Sequence, residues 1–368
     1  MTNRQWTIHR YEGGDESGLL KLLALEYSES DITELRFFHW QYEQNPAGRA
    51  LIGMAQDRES GEVVGQFWLL PMRVQVLDQI CMGSVIVNGL VHPSYRRQGI
   101  VSNLGKSVYA NCPRRGIDFT YSMPSPASYH VDTIVLKNRE LGQIPLLIRP
   151  LDWGALVAYR FGQKWPEHLA RAGQRVFARL SERRGLAGQR AGHSLRIDEV
   201  THFDSTFDAF WAKVRQKYPV AVVRDAAWLN WRYKDVPTRD YRALAAYDGQ
   251  SLVGYAVTRC STFEGVRTGL IVDLLVEPTQ QGEQAARMLV AEATSSFIQD
   301  GMYLAGCLML PTSQEFRALR RQGYWVCPKR LEPQPFPFSV HIHSDKVPIS
   351  VLQDLHSWHF TMGDYDVV

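Results

Sequence analysis

Six consecutive residues, Arg96-Arg97-Gln98-Gly99-Ile100-Val101, set two guanidinium groups and one glycine at the start of a helical pattern. Behind them Val85, Ile86 and Val87 are β-branched and favour a strand. Ahead of them Ile100, Leu104 and Val108 recur at the spacing of one helix face. The loop thus delivers its charges to a helix N-terminus, where backbone N–H groups lack partners and a partial positive charge accumulates. Such a place holds phosphate, and Gly99, having no Cβ, lets a pyrophosphate approach the backbone closely. The bland alternative is an arginine-rich turn before an ordinary helix.

The elements around this stretch alternate. A first strand carries Trp6, Ile8 and Tyr11, and a helix with Leu19, Leu20, Leu22, Leu23 and Leu25 follows, ending near Tyr27. A second helix carries Phe37, Phe38, Trp40 and Tyr42 and stops before Asn45-Pro46, where proline discourages continuation. Strands are expected at Leu51–Asp57 and Val63–Leu77, joined by a turn at Ser60-Gly61. After the Arg/Gly loop and its helix come a strand at Ile117–Met123, the break Pro124-Ser125-Pro126, a helix from about Ser128 to Glu140, and a strand to Ile148.

The same order recurs after residue 193. Trp40-Gln41-Tyr42 matches Trp231-Arg232-Tyr233, Pro46 matches Pro237, and Val64-Gly65 matches Val253-Gly254. Leu90-Val91-His92-Pro93 matches Leu275-Val276-Glu277-Pro278, and Gly142 matches Gly323. Landmarks in one order imply two copies of one fold. Both read as mixed sheets covered by helices, α/β in class. The expected organisation is a first domain at 1–150, an Arg-rich helical linker at 151–192 and a second domain at 193–368. Trp40 and Trp231 read as packing residues, not ligand contacts.

The copies differ where the phosphate grip would sit. The second has Thr279-Gln280-Gln281-Gly282-Glu283-Gln284, with no arginine and a carboxylate at Glu283. Like-charge repulsion there argues against phosphate binding, so only the first copy is expected to hold the ligand. In the linker, Arg171, Arg175, Arg179 and Arg183 fall on one helix face. A site for an anionic surface is one reading; a solvated face on a connecting helix is preferred.

Composition bounds the rest. The chain has 368 residues, 45% hydrophobic and 21% charged, enough for two cores. A formal net charge of +3 is too small to argue for nucleic acid. Five scattered cysteines form no CxxC pair or Cys/His cluster, so no metal is expected and reduced core thiols in a cytoplasm are. No apolar run reaches the ~20 residues a membrane span needs, and no signal region is evident. In the tail Ser339, Val340, His341, Ile342 and His343 alternate as a strand, and Trp358–Met362 reads as a last short one. His341 and His343 share a face, but with no third ligand they read as surface or core histidines rather than a metal pair.

The stretch Arg96–Val101 resembles the acetyl-CoA-binding motif of the GNAT acyltransferase superfamily, Arg/Gln-x-x-Gly-x-Gly/Ala, with Val101 in place of the final Gly or Ala. The preceding His92-Pro93-Ser94-Tyr95-Arg96 has a form common in that superfamily. The resemblance covers most of the chain as a tandem pair of GNAT-like domains, each a twisted mixed sheet flanked by helices. It implies an N-acyltransferase that passes an acetyl or other acyl group from acyl-CoA to an amine acceptor, a small molecule in the simplest case. Backbone N–H groups of Arg97, Gln98, Gly99, Ile100 and Val101 would hold the pyrophosphate, with Arg96 beside them. Leu90 and Val91 would pair their backbone with the pantetheine arm. Tyr129 would be the catalytic acid that protonates the departing thiolate; otherwise it is a packed helix tyrosine.

The general base stays open among Glu26, His130, Asp132, a water on Asn88 and the carboxylate of Val368, because the fourth strand offers only Ser84 and Asn88. Two other readings accompany this one: a non-catalytic CoA-binding scaffold, and a Fem-type aminoacyltransferase whose Arg-lined helix contacts RNA.

Overall fold

Period-two and period-3.6 patterns alternate along the chain, and a computed structural model shows the elements they form over residues 5–161 and 195–365. The chain begins with β1 (Trp6–Arg10), α1 (Glu16–Ala24), α2 (Leu35–Glu43), β2 (Leu51–Asp57), β3 (Val63–Val76) and β4 (Gln79–Val91). Next come α3 (Ile100–Asn111), β5 (Phe119–Ser122), β6 (Arg139–Gln143), β7 (Leu146–Pro150) and α4 (Trp153–Phe161). The chain continues with β8 (Leu195–Val200), α5 (Ser205–Val214), β9 (Val220–Val222), α6 (Ala226–Tyr233), β10 (Arg242–Asp248), β11 (Ser251–Phe263) and β12 (Val266–Val276). It closes with α7 (Gln280–Gln299), β13 (Leu304–Leu308), α8 (Gln314–Arg321), β14 (Trp325–Val326), β15 (Pro337–Ile342), α9 (Ile349–Leu352) and β16 (Trp358–His359). The arginines at 171, 175, 179 and 183 lie outside the described residues.

Two sheets form, and the fold is mixed α/β as the patterning implies. The first runs β1-β2-β3-β4-β5-β15-β6, with β9 against the far end of β3. The second runs β14-β7-β13-β12-β11-β10-β8. Each contains one parallel pair, β4 with β5 and β12 with β13, joined through α3 and α7 respectively. Such pairs need a crossover, and a helix supplies it.

The compact units do not follow the contiguous ranges 1–150 and 193–368. One unit combines Met1–Gln143 with Tyr218–Arg239 and Gln334–Trp358; the other takes Ile144–Lys217, Asp240–Pro333 and His359–Val368. β7 follows β6 closely in sequence yet pairs with β13, while the tail strand β15 enters the first sheet between β5 and β6. Alternation marks a strand but not its partner, so the exchange is invisible to local pattern. The same pairing shortens the helix expected at 128–140. The helical turn ends at Val135, Lys137 takes a left-handed φ of 60°, and Arg139 and Glu140 pair with Val340 and Ser339.

In the first unit α3 covers one face of the sheet, with Ile100, Leu104 and Val108 buried against Leu51, Phe67 and Leu69. The aromatic side chains of α2 bury in the same unit, Phe38 meeting Trp68 edge-on at 5.3 Å. Trp40 stacks on its repeat counterpart Trp231 at 4.9 Å, and the indole Nε1 of Trp40 donates to the Trp231 carbonyl at 2.8 Å. The indole of Trp231 returns a bond to the Trp40 carbonyl at 3.2 Å. Both rings are thus packing residues, held by one another; such a pair adds about 0.5–1.5 kcal/mol beyond its buried area. In the second unit α7 lays Leu289, Val290 and Phe297 on Ile271 and Leu274. Four cysteines are buried and Cys260 is exposed, all as free thiols. Among the described residues no helix is long and apolar enough to cross a membrane.

Candidate functional site

β4 pairs with β3 along nearly its whole length, from Val76↔Gln79 to Gly65↔Val91. The register shifts between Gln66 and Trp68, where Asn88 adopts a left-handed φ of 50°. Asn88 Nδ2 donates to Gln41 Oε1 at 2.9 Å, which fixes this bulge to α2. On its other edge β4 meets β5 only at Gly83–Val85. From Ile86 to Val91 that edge has no strand partner among the described residues. An unpaired strand edge is a row of donors and acceptors ready for an extended ligand. Leu90 buries its side chain against Leu22 and Leu23 of α1, and Val91 packs partly into the α3 core. His92 N donates to the Val64 carbonyl at 2.9 Å, so by alternation the backbone of Leu90 also faces β3 and that of Val91 faces the open edge.

The loop after β4 is braced from behind. Tyr95 donates its hydroxyl to Asp57 Oδ2 at 2.7 Å. The Ser60 N–H and the Tyr95 hydroxyl, with further donors, hold the Asp57 carboxyl down at about 2. Arg97 and Gly99 adopt φ of 64° and 75°. The backbone N–H groups of Arg97, Gln98, Gly99, Ile100 and Val101 have no hydrogen-bond partner among the described residues. Gly99 is the N-cap of α3 and contributes no side chain to satisfy them. Its carbonyl accepts from Asn103 N at 3.0 Å and Asn103 Nδ2 at 2.7 Å, which locks the first turn. Open N–H groups at the start of a twelve-residue helix are of the kind that can hold an anion. Arg97 has no ion pair among the described residues, whereas Arg96 reaches Glu26 Oε2 at 2.8 Å. Glu26 therefore offsets one of the two loop charges, a pairing across 70 residues that sequence spacing does not reveal.

Tyr129 opens the helical turn after β5 and is exposed. Its hydroxyl donates to Glu140, and that bond raises the phenol pKa, so the group stays protonated at neutral pH. His130 is exposed beside it. Asp132 is buried and fully engaged: it accepts from Ser122 Oγ at 2.7 Å, Asn138 Nδ2 at 2.7 Å and Ser339 Oγ at 2.5 Å. Burial raises its pKa while these donors oppose the rise. Ser84 bonds Thr120 at 2.8 Å, and Thr120 bonds His343 Nε2 at 2.8 Å. His343 and His341 both lie against the Tyr109 ring, at 4.8 and 4.7 Å. Burial pushes His343 down to about 3, and His341 in the same direction, so both rings are neutral at pH 7. Among the described residues no group of three or more metal-ligating side chains exists. This polar network ties β5, β15 and the Tyr129 turn together. Its only sequence signal is the alternation of small polar residues and histidines in β15.

The matching helix start in the second unit is closed. Thr279 Oγ1 accepts from Gly282 N at 3.1 Å. A Cβ on Gly282 would lie 2.0 Å from the Glu277 carbonyl oxygen, so the backbone there is already in contact. Glu283 pairs with Arg321.

Residues 7–131, which include the open edge of β4, the loop and Tyr129, match the family described as acetyltransferase (GNAT) domain. Among curated proteins none matches the sequence. Three solved structures show the same fold. A conserved Enterococcus faecalis protein described as a probable N-acyltransferase is similar at 12% identity and a TM-score of 0.61, over 92% of this chain and 73% of that one. A GCN5-related N-acetyltransferase from Anabaena variabilis gives 12% and 0.59 over the same shares, 92% and 73%. Saccharomyces cerevisiae N-myristoyltransferase with bound myristoyl-CoA gives 11% and 0.60 over 94% of this chain and 84% of its own. The acetyltransferase (GNAT) match thus lies within the first unit, and the chain as a whole, with its two mixed sheets, shares the fold of these three structures.

Proposed function

We propose that the chain is an N-acyltransferase that takes an acyl group, most simply acetyl, from acyl-CoA and passes it to an amine. The observation that carries this is the run of unpartnered N–H groups from Arg97 to Val101, directly after an unpaired strand edge and inside the region that matches the GNAT domain. The N–H groups and the Arg97 guanidinium suit a pyrophosphate, and the open edge at Val91, beside Leu90, suits the amides of a pantetheine arm. Bound acyl-CoA would supply the thioester. The acceptor nitrogen attacks its carbonyl carbon, the C–S bond breaks, and the sulfur leaves as a thiolate that needs a proton.

Tyr129 is our candidate donor. Its hydroxyl must leave Glu140 and turn to the sulfur, which its exposed position allows. No carboxylate on β4 takes the proton from the amine, since Ser84 and Asn88 are bonded within the fold. Asp132 is saturated and Glu26 is paired, which leaves His130, a water at Asn88, or the carboxylate of Val368, which lies outside the described residues, to act as base. The closed helix start at Thr279 and Gly282 supports confining CoA to the first unit. Five unpaired thiols suit a reducing cytoplasm.

A panel of amine acceptors with acetyl-CoA, read by thiol release, tests the activity. Release with at least one acceptor is expected. CoA binding without release from any acyl-CoA or acceptor would favour the second reading, a CoA-binding scaffold, for which the lack of a carboxylate base on β4 is the supporting observation.

A further inference from the structure

The first unit contains a second ligand-sized feature at the other end of α3. It is a cavity of about 490 Å³ between the end of β1, the segment before β2 and the turn after α3. The twelve residues of α3 separate it from the Arg97–Val101 loop by ~18 Å, a full helix length. Its floor is apolar, with Leu51 and Ile117 buried. Its walls carry three guanidiniums from three separate segments, Arg10, Arg49 and Arg115, against one carboxylate, Glu12.

None of these arginine side chains has an ion pair or hydrogen bond among the described residues. By contrast Arg36, Arg73 and Arg96 of the same unit each hold a carboxylate, at 2.7, 2.7 and 2.8 Å. Three arginines around one concavity raise its local positive potential, which favours a bound anion. Tyr42 also lines the cavity. Burial raises its pKa, the charges of Arg49 and Arg10 pull it back, and the carboxylates of Glu43 and Glu16 add to the rise. The volume falls within the ~300–1,000 Å³ of small-molecule sites, and guanidinium forks match phosphate and carboxylate oxygens.

We propose that this cavity binds a small polyanion, a phosphorylated or polycarboxylate metabolite, separately from the CoA loop. Arg10, Arg49 and Arg115 make the charged contacts, Tyr42 donates a hydrogen bond, and the apolar floor takes the ligand's carbon skeleton.

The test is calorimetric titration of the full chain with inorganic pyrophosphate and, in a second arm, with citrate, each with and without saturating CoA. At least one anion binds at one site per chain in the presence of CoA, and which one binds distinguishes phosphate from carboxylate recognition. Arg49→Ala and Arg115→Ala, both exposed positions, each weaken that binding about tenfold to a hundredfold, while Arg97→Ala leaves it unchanged. Three outcomes overturn the proposal: no binding of either anion at millimolar concentration, binding that survives both cavity substitutions, or binding that Arg97→Ala abolishes.

Discussion

Substitution of Gly99 separates an electrostatic anion site from an ordinary helix start. Gly99 has a φ of +75°, where an L side chain costs about 1–2 kcal/mol. A Cβ there would lie 3.4 Å from Asn103 Nδ2, an ordinary contact, so crowding adds little. Alanine therefore tests backbone geometry alone. If the loop relaxes out of the left-handed region, the N–H groups of Gly99 to Val101 no longer point together. Binding must then restore the strained form, and CoA affinity falls about 5- to 30-fold. Glutamate adds a carboxylate roughly 5 Å from the phosphates. At an effective dielectric between ~20 and ~80, each phosphate charge contributes a further ~1–3 kcal/mol of repulsion. Gly99→Glu should thus weaken CoA at least about 100-fold, well beyond Gly99→Ala.

Calorimetry with CoA reads both variants, and circular dichroism confirms that they fold. The parent should show one site per chain, because Thr279 and Gly282 already fill the start of α7. A Gly99→Glu protein that binds CoA within about threefold of the parent refutes the assignment. So does a second CoA site of similar affinity.

Tyr129→Phe should lower turnover about 100- to 10,000-fold with CoA affinity unchanged, because it removes the proton donor and leaves the Arg97–Val101 loop intact. Turnover equal to the parent on a good acceptor would make the Tyr129–Glu140 bond a surface tie only. His343 gives the pH prediction: its folded pKa is about 3 against an ordinary 6.5, so the unfolded chain binds the extra proton and stability falls as pH drops from about 6.5 to 3. The full shift corresponds to roughly 5 kcal/mol, which solvent around the part-buried ring reduces to about 1–2. His343→Gln should flatten that acid limb in pH-dependent melts; an unchanged slope would place the acid sensitivity elsewhere.

What was legible in the sequence follows from the range of the interactions. The strand–loop–helix around Gly99 is local, so residue type and spacing located it. The positive φ at Gly99 and the open N–H groups are what such a stretch adopts for physical reasons. The strand at Ser339–His343 was equally legible as a strand. Its place between β5 and β6 was not, because Tyr121 and Val340 meet only after some two hundred residues of intervening chain. The same distance hid the network around Asp132, where Ser339 comes from the tail and Ser122 from β5. It hid the Arg10, Arg49 and Arg115 cavity as well, whose members share no motif.

The start of α7 shows how a conclusion reached from sequence rests on a different cause in the fold. From residue types alone, Glu283 repels phosphate and thereby closes the second copy to CoA. In the structure Arg321 pairs with Glu283 and offsets that charge. The closure comes instead from Thr279, whose hydroxyl takes a helix N–H, and from Gly282, whose backbone is pressed on the Glu277 carbonyl. Removing the charge alone, as in Glu283→Gln, would leave both obstacles in place. A second CoA site would require the Thr279 cap to be lost and the backbone of Gly282 to move off Glu277. The difference between the two units thus lies in which N–H groups are already satisfied, and in the first unit Gly99 leaves them open because it has no side chain to cap them.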